Sequence, residues 1–126
     1  MKKEIKVLFV CVGNICRSPM AEVIFRNLAK KHGRTDIIVK SAGTYAHESS
    51  DMTDKSRQAL LHCGEKLPKK PHKSTQFTHE MNNKFDHVID LREFADPWMG
   101  TIENYIDVCK QLQKYCEELY NKICKI

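Results

Sequence analysis

Arg17 follows Cys11 by six positions in the run Val10-Cys11-Val12-Gly13-Asn14-Ile15-Cys16-Arg17-Ser18-Pro19, and that spacing has a chemical meaning. A cysteine sulfur attacks as its thiolate, and loop amides beside a helix N-terminus favour that form. The intervening Val12, Gly13, Asn14, Ile15 and Cys16 are enough to wrap backbone N–H groups around a tetrahedral oxyanion. Arg17 then closes the far side with a planar guanidinium able to grip two oxygens at once. Ser18 brings a hydroxyl that can donate to the sulfur, and Gly13 and Asn14 suit the unusual backbone angles of such a loop. The chemistry this supports is nucleophilic attack by Cys11 on a bound phosphate-like group. A nucleotide-binding loop needs Gly-Lys-Ser/Thr after its glycines, and Gly13 is not followed by it. The other alternative is an inert cysteine at a buried strand end. Several independent requirements for anion binding coincide here, and they favour the nucleophile.

Such a loop works only if rigid elements hold it. Ile5, Val7, Leu8, Phe9 and Val10 form a short apolar run of the kind found in buried parallel strands. Met20, Val23, Ile24 and Leu28 then recur at helical spacing, with Ser18 as N-cap candidate, Pro19 at the first helical position and Gly33 past the end. This predicts a helix over Pro19 to Lys31, and Ile37 to Lys40 reads as a second strand, so a parallel sheet follows. Farther on, a helix is expected from about Thr53 to Cys63, stopped by Gly64. Leu67 to Gln76 reads as a connector, Thr78 to Asn83 as a short helix and Phe85 to Leu91 as a third strand. A last helix begins near Thr101, with Ile102, Tyr105, Ile106, Cys109, Leu112, Cys116, Leu119 and Ile123 as its core stripe.

The chain has 126 residues, 41% hydrophobic and 29% charged, which predicts one globular domain over residues 1–126. No run is long enough for a membrane span, and Met-Lys-Lys-Glu at the start leads into no signal-peptide core, so a cytoplasmic protein with no membrane partner is expected. Six cysteines are then read as reduced thiols, not a disulfide framework. No Cys-x-x-Cys pair occurs and the six histidines are scattered, so neither a metal nor any other cofactor is expected. The net charge of +5 comes without a nucleic-acid-binding motif, so no nucleic-acid partner is expected. Its one concentration, Lys66, Lys69, Lys70 and Lys73, is a solvated loop or a positive field that steers phosphorylated substrates.

A phosphoryl group leaving from an aromatic ester needs a proton on the departing oxygen, and Asp96 in the loop Glu93 to Gly100 is placed to supply it. Pro97 stiffens that loop, and Trp98 offers an aromatic wall. A plain surface Asp-Pro turn with Trp98 in the core is the alternative reading.

Cys11 to Arg17, together with Ser18-Pro19 and Ala21-Glu22, resembles the signature of the low-molecular-weight protein tyrosine phosphatases. The resemblance implies an α/β, Rossmann-like three-layer fold with a short parallel sheet and helices on both faces. It makes Asp96, near the start of the last helix, the general acid. It also implies that Ser41 and His72 brace the loop through Asn14, and that Tyr45 or His47 forms a second wall of the cleft. Some members carry the second loop cysteine, here Cys16, and are credited with a protective disulfide to the nucleophile. The implied substrates are phosphotyrosine proteins or small aryl phosphates, with inhibition by phosphate-like oxyanions. The resemblance runs to Thr44, continues in the helix after Met52 and returns from Asp96 through the last helix. It breaks between: family members usually place a further helix and strand there, whereas Ile89 stands seven residues before Asp96. A sheet of three strands, or four with a very short last one, is therefore expected. Two other functions remain in view. Arsenate reduction on the same fold needs helper cysteines, and none lies between Cys63 and Cys109. A phosphate- or phosphopeptide-binding module without catalysis is the other.

Overall fold

The computed structural model describes residues 4–47 and 49–124. Its elements are β1 (Ile5–Cys11), α1 (Arg17–Lys31), β2 (Ile37–Gly43), α2 (Asp54–His62), α3 (Met81–Lys84), β3 (His87–Asp90) and α4 (Ile102–Ile123). The strands form one parallel sheet in the order β2-β1-β3. β1 lies at its centre, in register with β2 from Ile5 opposite Ile37 to Cys11 opposite Gly43, and with β3 from Val7 opposite His87 to Val10 opposite Asp90. Covered on both faces, β1 has no solvent side to keep polar, and Val7 through Cys11 are all buried.

The two outer layers are unequal. Val7 and Phe9 face a core built by α1, α2 and α4, where Phe9 and Phe25 meet edge to face with centroids 5.6 Å apart. Leu8, Val10 and Ala42 face the other way, under Phe77, Met81, Phe85 and Val88. The four-residue α3 and its flanking loop therefore do the work of a full helix layer. The sheet has three strands, and no fourth one pairs with β3 among the described residues.

Several boundaries differ from the sequence reading for local reasons. α1 starts at Arg17, two residues before the expected Pro19, and its N-cap is Cys16, with no side-chain cap. Ser18 is not the cap because its hydroxyl is drawn into bonds with Asn14 and Cys11. Pro19 still costs no helical bond, since the first four N–H groups of a helix have no intrahelical acceptor. β2 runs on from Lys40 to Gly43 because Ser41, Ala42 and Gly43 keep pairing with Phe9, Val10 and Cys11. The short helix is confined to Met81–Lys84 and the third strand to His87–Asp90. α4 begins as expected, with Thr101 and Asn104 forming a reciprocal capping box. Its buried stripe includes Val108 and Tyr120 besides the expected Tyr105, Cys109, Leu112 and Cys116.

Candidate active site

Cys11 is the last residue of β1, and the chain turns at once into the loop that ends on α1. Asn14 adopts a left-handed backbone, φ 58°, which reverses the chain without a glycine. The loop's carbonyls are held from outside. Those of Cys11 and Val12 accept from the amides of Thr44 and Tyr45, both at 2.9 Å, and that of Ile15 accepts from Thr53 at 3.0 Å. The Asn14 carbonyl accepts from His72 Nε2 at 2.7 Å. With their oxygens tied outward, these peptide units turn their N–H groups toward the concavity, the arrangement an anion needs.

A chain of hydrogen bonds ends on the sulfur. The Thr75 amide donates to Asn14 Oδ1 at 2.9 Å, and Asn14 Nδ2 donates to Ser18 Oγ at 2.7 Å. Ser18 Oγ lies 2.9 Å from Cys11 Sγ, and the Asn14 amide also donates to that sulfur at 3.3 Å. Donors aimed at a sulfur stabilise negative charge on it. Cys11, Asn14 and Ser18 are buried, so this network has little competition from water.

Arg17 is buried as well. Its Nη1 donates to the carbonyls of Arg92 and Phe94, at 3.3 and 3.0 Å, and Nη2 lies 3.4 Å from Asp96 Oδ2. Nε has no partner. A buried donor left unsatisfied costs about 1–3 kcal/mol, and an oxyanion in the loop is the acceptor that would remove this cost.

The trimmed sheet nevertheless leaves Asp96 beside the loop, with Pro97 buried under it and the Trp98 amide donating to Asp96 Oδ1 at 3.1 Å. The Trp98 ring is exposed at 57% and not in the core, Tyr45 is exposed at 79% and Val12 at 39%. Tyr45 borders the loop through its amide, and Trp98 stands two residues from Asp96, so both segments next to the loop carry an exposed aromatic side chain. Gly13 and Ile15 are half-buried in the loop. The His47 side chain is exposed, and its carbonyl accepts from Ser74 Oγ.

Of the two expected braces, His72 reaches the loop and Ser41 does not. Ser41 Oγ donates to Glu22 Oε1 of α1 at 2.5 Å. Strand alternation puts Ser41 with Val39 on the side facing α1, whereas Asn14 lies beyond the strand end. The Thr75 amide takes the role instead. Three more supports went unseen in the sequence: Thr53, Tyr105 and Gly43. Cys16 Sγ lies 3.4 Å from Tyr105 Oη and 3.9 Å from Thr53 Oγ1, on partners wholly different from those of Cys11. Burial pushes the Cys16 thiol up from its usual range, and the Tyr105 hydroxyl is pushed up to about 12, chiefly by burial. The one signal for Tyr105 was its place on the α4 stripe, and Thr75 gave none.

The family model described as low molecular weight phosphotyrosine protein phosphatase matches residues 6–95. A relative of that name from Dictyostelium discoideum is 36% identical, over 90% of this chain and 74% of its own. A protein-arginine-phosphatase from Bacillus subtilis is 29% identical over 94% of both chains. Among solved structures, a low molecular weight protein tyrosine phosphatase from T. tengcongensis superposes with a TM-score of 0.85 at 26% identity, covering 94% of this chain and 99% of that one. With the cysteine loop, the parallel sheet and these likenesses together, the chain belongs to the low molecular weight phosphotyrosine protein phosphatases, a family of hydrolases.

Proposed function

We propose that this protein hydrolyses phosphate monoesters of aromatic hydroxyls, phosphotyrosine in proteins or small aryl phosphates, with Cys11 as nucleophile, Arg17 as phosphate clamp and Asp96 as general acid. The observation that carries this reading is the buried Arg17 Nε, without a partner among the described residues, on the same loop as a sulfur that accepts from the Asn14 amide and lies 2.9 Å from Ser18 Oγ. The substrate phosphate sits in the loop with its equatorial oxygens on the amides of residues 12–16 and on Arg17. The sulfur attacks in line; the S–P bond forms as the ester P–O bond breaks, and Asp96 delivers its proton to the departing phenol oxygen. Asp96, now a carboxylate, takes a proton from the water that attacks the cysteinyl-phosphate. The S–P bond breaks, and phosphate and the thiolate are released. Arg17 and the amides supply the charge stabilisation, so no step asks for a metal. The exposed faces of Trp98 and Tyr45 suit an aryl ring, with His47 beyond them on the same loop as Tyr45.

The test is hydrolysis of a chromogenic aryl phosphate by the wild type and by Cys11→Ser, each with and without vanadate. Vanadate should inhibit the wild type by occupying the loop, and Cys11→Ser should lose turnover while keeping its circular dichroism. Retained turnover in Cys11→Ser overturns the mechanism. Binding of phosphate by the wild type without turnover would make the protein a phosphate-binding module. The likeness to a protein-arginine-phosphatase supports one second reading, phosphoarginine as substrate, and a higher kcat/KM on phosphoarginine than on phosphotyrosine peptides would establish it. Arsenate reduction has less support, because Cys63 and Cys109, the free thiols nearest in sequence to the expected helpers, end α2 and sit within α4.

Six free thiols suit a reducing, cytoplasmic setting. Under peroxide, Cys11 oxidised to a sulfenic acid can be attacked by Cys16, releasing water and forming a disulfide that spares the nucleophile. Cys16 must first leave Tyr105 and Thr53. After peroxide treatment a Cys11–Cys16 linked peptide is expected by mass spectrometry, with activity restored by dithiothreitol. The absence of that peptide removes the switch.

A further inference from the structure

The basic concentration at Lys69, Lys70 and Lys73 has no part in the catalytic reading, and the fold gives it a setting. A cavity of about 600 Å³ opens behind the phosphate loop, between α1, the outer edge of β2 and the strap of residues 68–75 that crosses it. That volume is in the range that holds small organic ligands. Its floor is apolar and buried: Pro19, Val23 and Met52. Its rim is cationic. Lys40 stands on the β2 side, and Lys70 and Lys73 on the strap, all exposed.

These three ammonium groups have no ion-pair partner among the described residues, where every ion pair is made by an arginine and none by these three lysines. Among the described residues Glu22 is the single acid on the cavity wall. Its carboxylate is already taken by Arg26 and by the Ser41 hydroxyl, both at 2.5 Å. Arg26 is occupied in turn, since its other contact is the Val39 carbonyl. Unpaired like charges around one concavity repel each other and focus a positive field into it, and a multiply charged anion relieves that repulsion. Lysines meet phosphate as compact point charges, and the apolar floor has room for an organic body between them.

We propose that this cavity is a second ligand site, for a small organic polyphosphate such as a nucleoside triphosphate, distinct from the loop around Cys11. The phosphates lie against Lys40, Lys70 and Lys73, and the organic body rests on Val23 and Met52. Occupancy reaches the catalytic loop through one residue. His72 lines the same cavity, and its Nε2 donates to the Asn14 carbonyl.

The probe is adenosine triphosphate, titrated calorimetrically against the whole chain with vanadate saturating the catalytic loop. Binding should survive vanadate, exceed that of inorganic tripolyphosphate, and move the His72 imidazole signals in NMR spectra. The double variant Lys70→Gln/Lys73→Gln should weaken it by about tenfold or more while leaving kcat for an aryl phosphate unchanged. The proposal is overturned if vanadate displaces all of the nucleotide, if the double variant binds as tightly as the wild type, or if tripolyphosphate binds as well as the nucleotide. Because binding is read without turnover, its failure is separate from a failure of the Cys11 mechanism, which the Cys11→Ser assay reads.

Discussion

In the proposed mechanism a single carboxylate, Asp96, separates a site that binds phosphate from one that expels a phenol. In this structure it rests 3.4 Å from Arg17 Nη2, the group that a bound phosphate would also claim. In that mechanism a phosphate on the guanidinium competes with this ion pair and frees Asp96 for the leaving oxygen. Asp96→Asn keeps the size and removes the proton, so its effect should follow the leaving group. Esters of ordinary phenols should slow by about 10²–10⁴-fold, the usual worth of a positioned general acid, whereas a dinitrophenyl ester should barely change. Equal rates for wild type and variant on the poor leaving group would remove Asp96 from the mechanism. At this scale the sequence was readable wherever partners are close along the chain. Cys11, Asn14, Arg17 and Ser18 lie within eight residues, so one short run displays most of the loop's chemistry. Thr75 and Tyr105 join the loop from 61 and 89 residues away; nothing local marks Thr75, and Tyr105 shows only as part of the α4 stripe. Ser41 differs for a related reason: Gly43, two residues on, packs against Asn14, but strand alternation turns Ser41 to Glu22.

Among the elements, the decisive contact is the end of β2 against the loop. A Cβ on Gly43 would lie 2.4 Å from the Val12 carbonyl oxygen and 2.9 Å from the Asn14 amide. Both are backbone, so neither can swing aside, and Gly43→Ala has to push the loop itself. Displacement of a reacting group by about 1 Å costs on the order of 10²-fold in rate. Gly43→Ala is therefore expected to fold, with a loss of about 1–3 kcal/mol in urea unfolding, and to lose about two orders of magnitude in kcat. Wild-type kcat would show that the loop is not seated on β2 in the way described. The helices were more legible than the strands. α2 and α4 announce themselves by Thr53, Thr101 and their apolar spacing, which are local signals. Strand ends are fixed by pairing with a neighbour, so β2 outlasts its apolar run and β3 is shorter than its own.

Over the whole molecule, the buried thiols set a limit on alkaline stability. Cys109 and Cys116 are fully buried, and burial pushes both thiols far above their ordinary range. In the folded protein they stay protonated, whereas in the unfolded chain they ionise above about pH 8.5. The unfolded state then binds fewer protons than the folded one, so stability falls as pH rises. Each such thiol contributes about 1.4 kcal/mol per pH unit above that point. Urea midpoints should hold steady from pH 7 to 8 and drop from pH 8.5 to 10, and Cys109→Ala/Cys116→Ala should flatten the drop. A midpoint insensitive to pH up to 10 would contradict the burial described.

The carbonyls of Arg92 and Phe94 are both fastened to Arg17 Nη1. The arginine of the phosphate loop is itself the anchor for the segment that carries Asp96. Arg17 holds that segment together with the Leu91 amide, which donates to the Val10 carbonyl of β1 at 2.7 Å, so no fourth strand is needed to aim it. The length of chain between Ile89 and Asp96 is thereby uncoupled from where the carboxylate ends up. Residues can be lost from this connection while the loop and the acid keep their mutual geometry. A sheet reduced to three strands and an Asp96 beside its arginine are, on this account, compatible by construction.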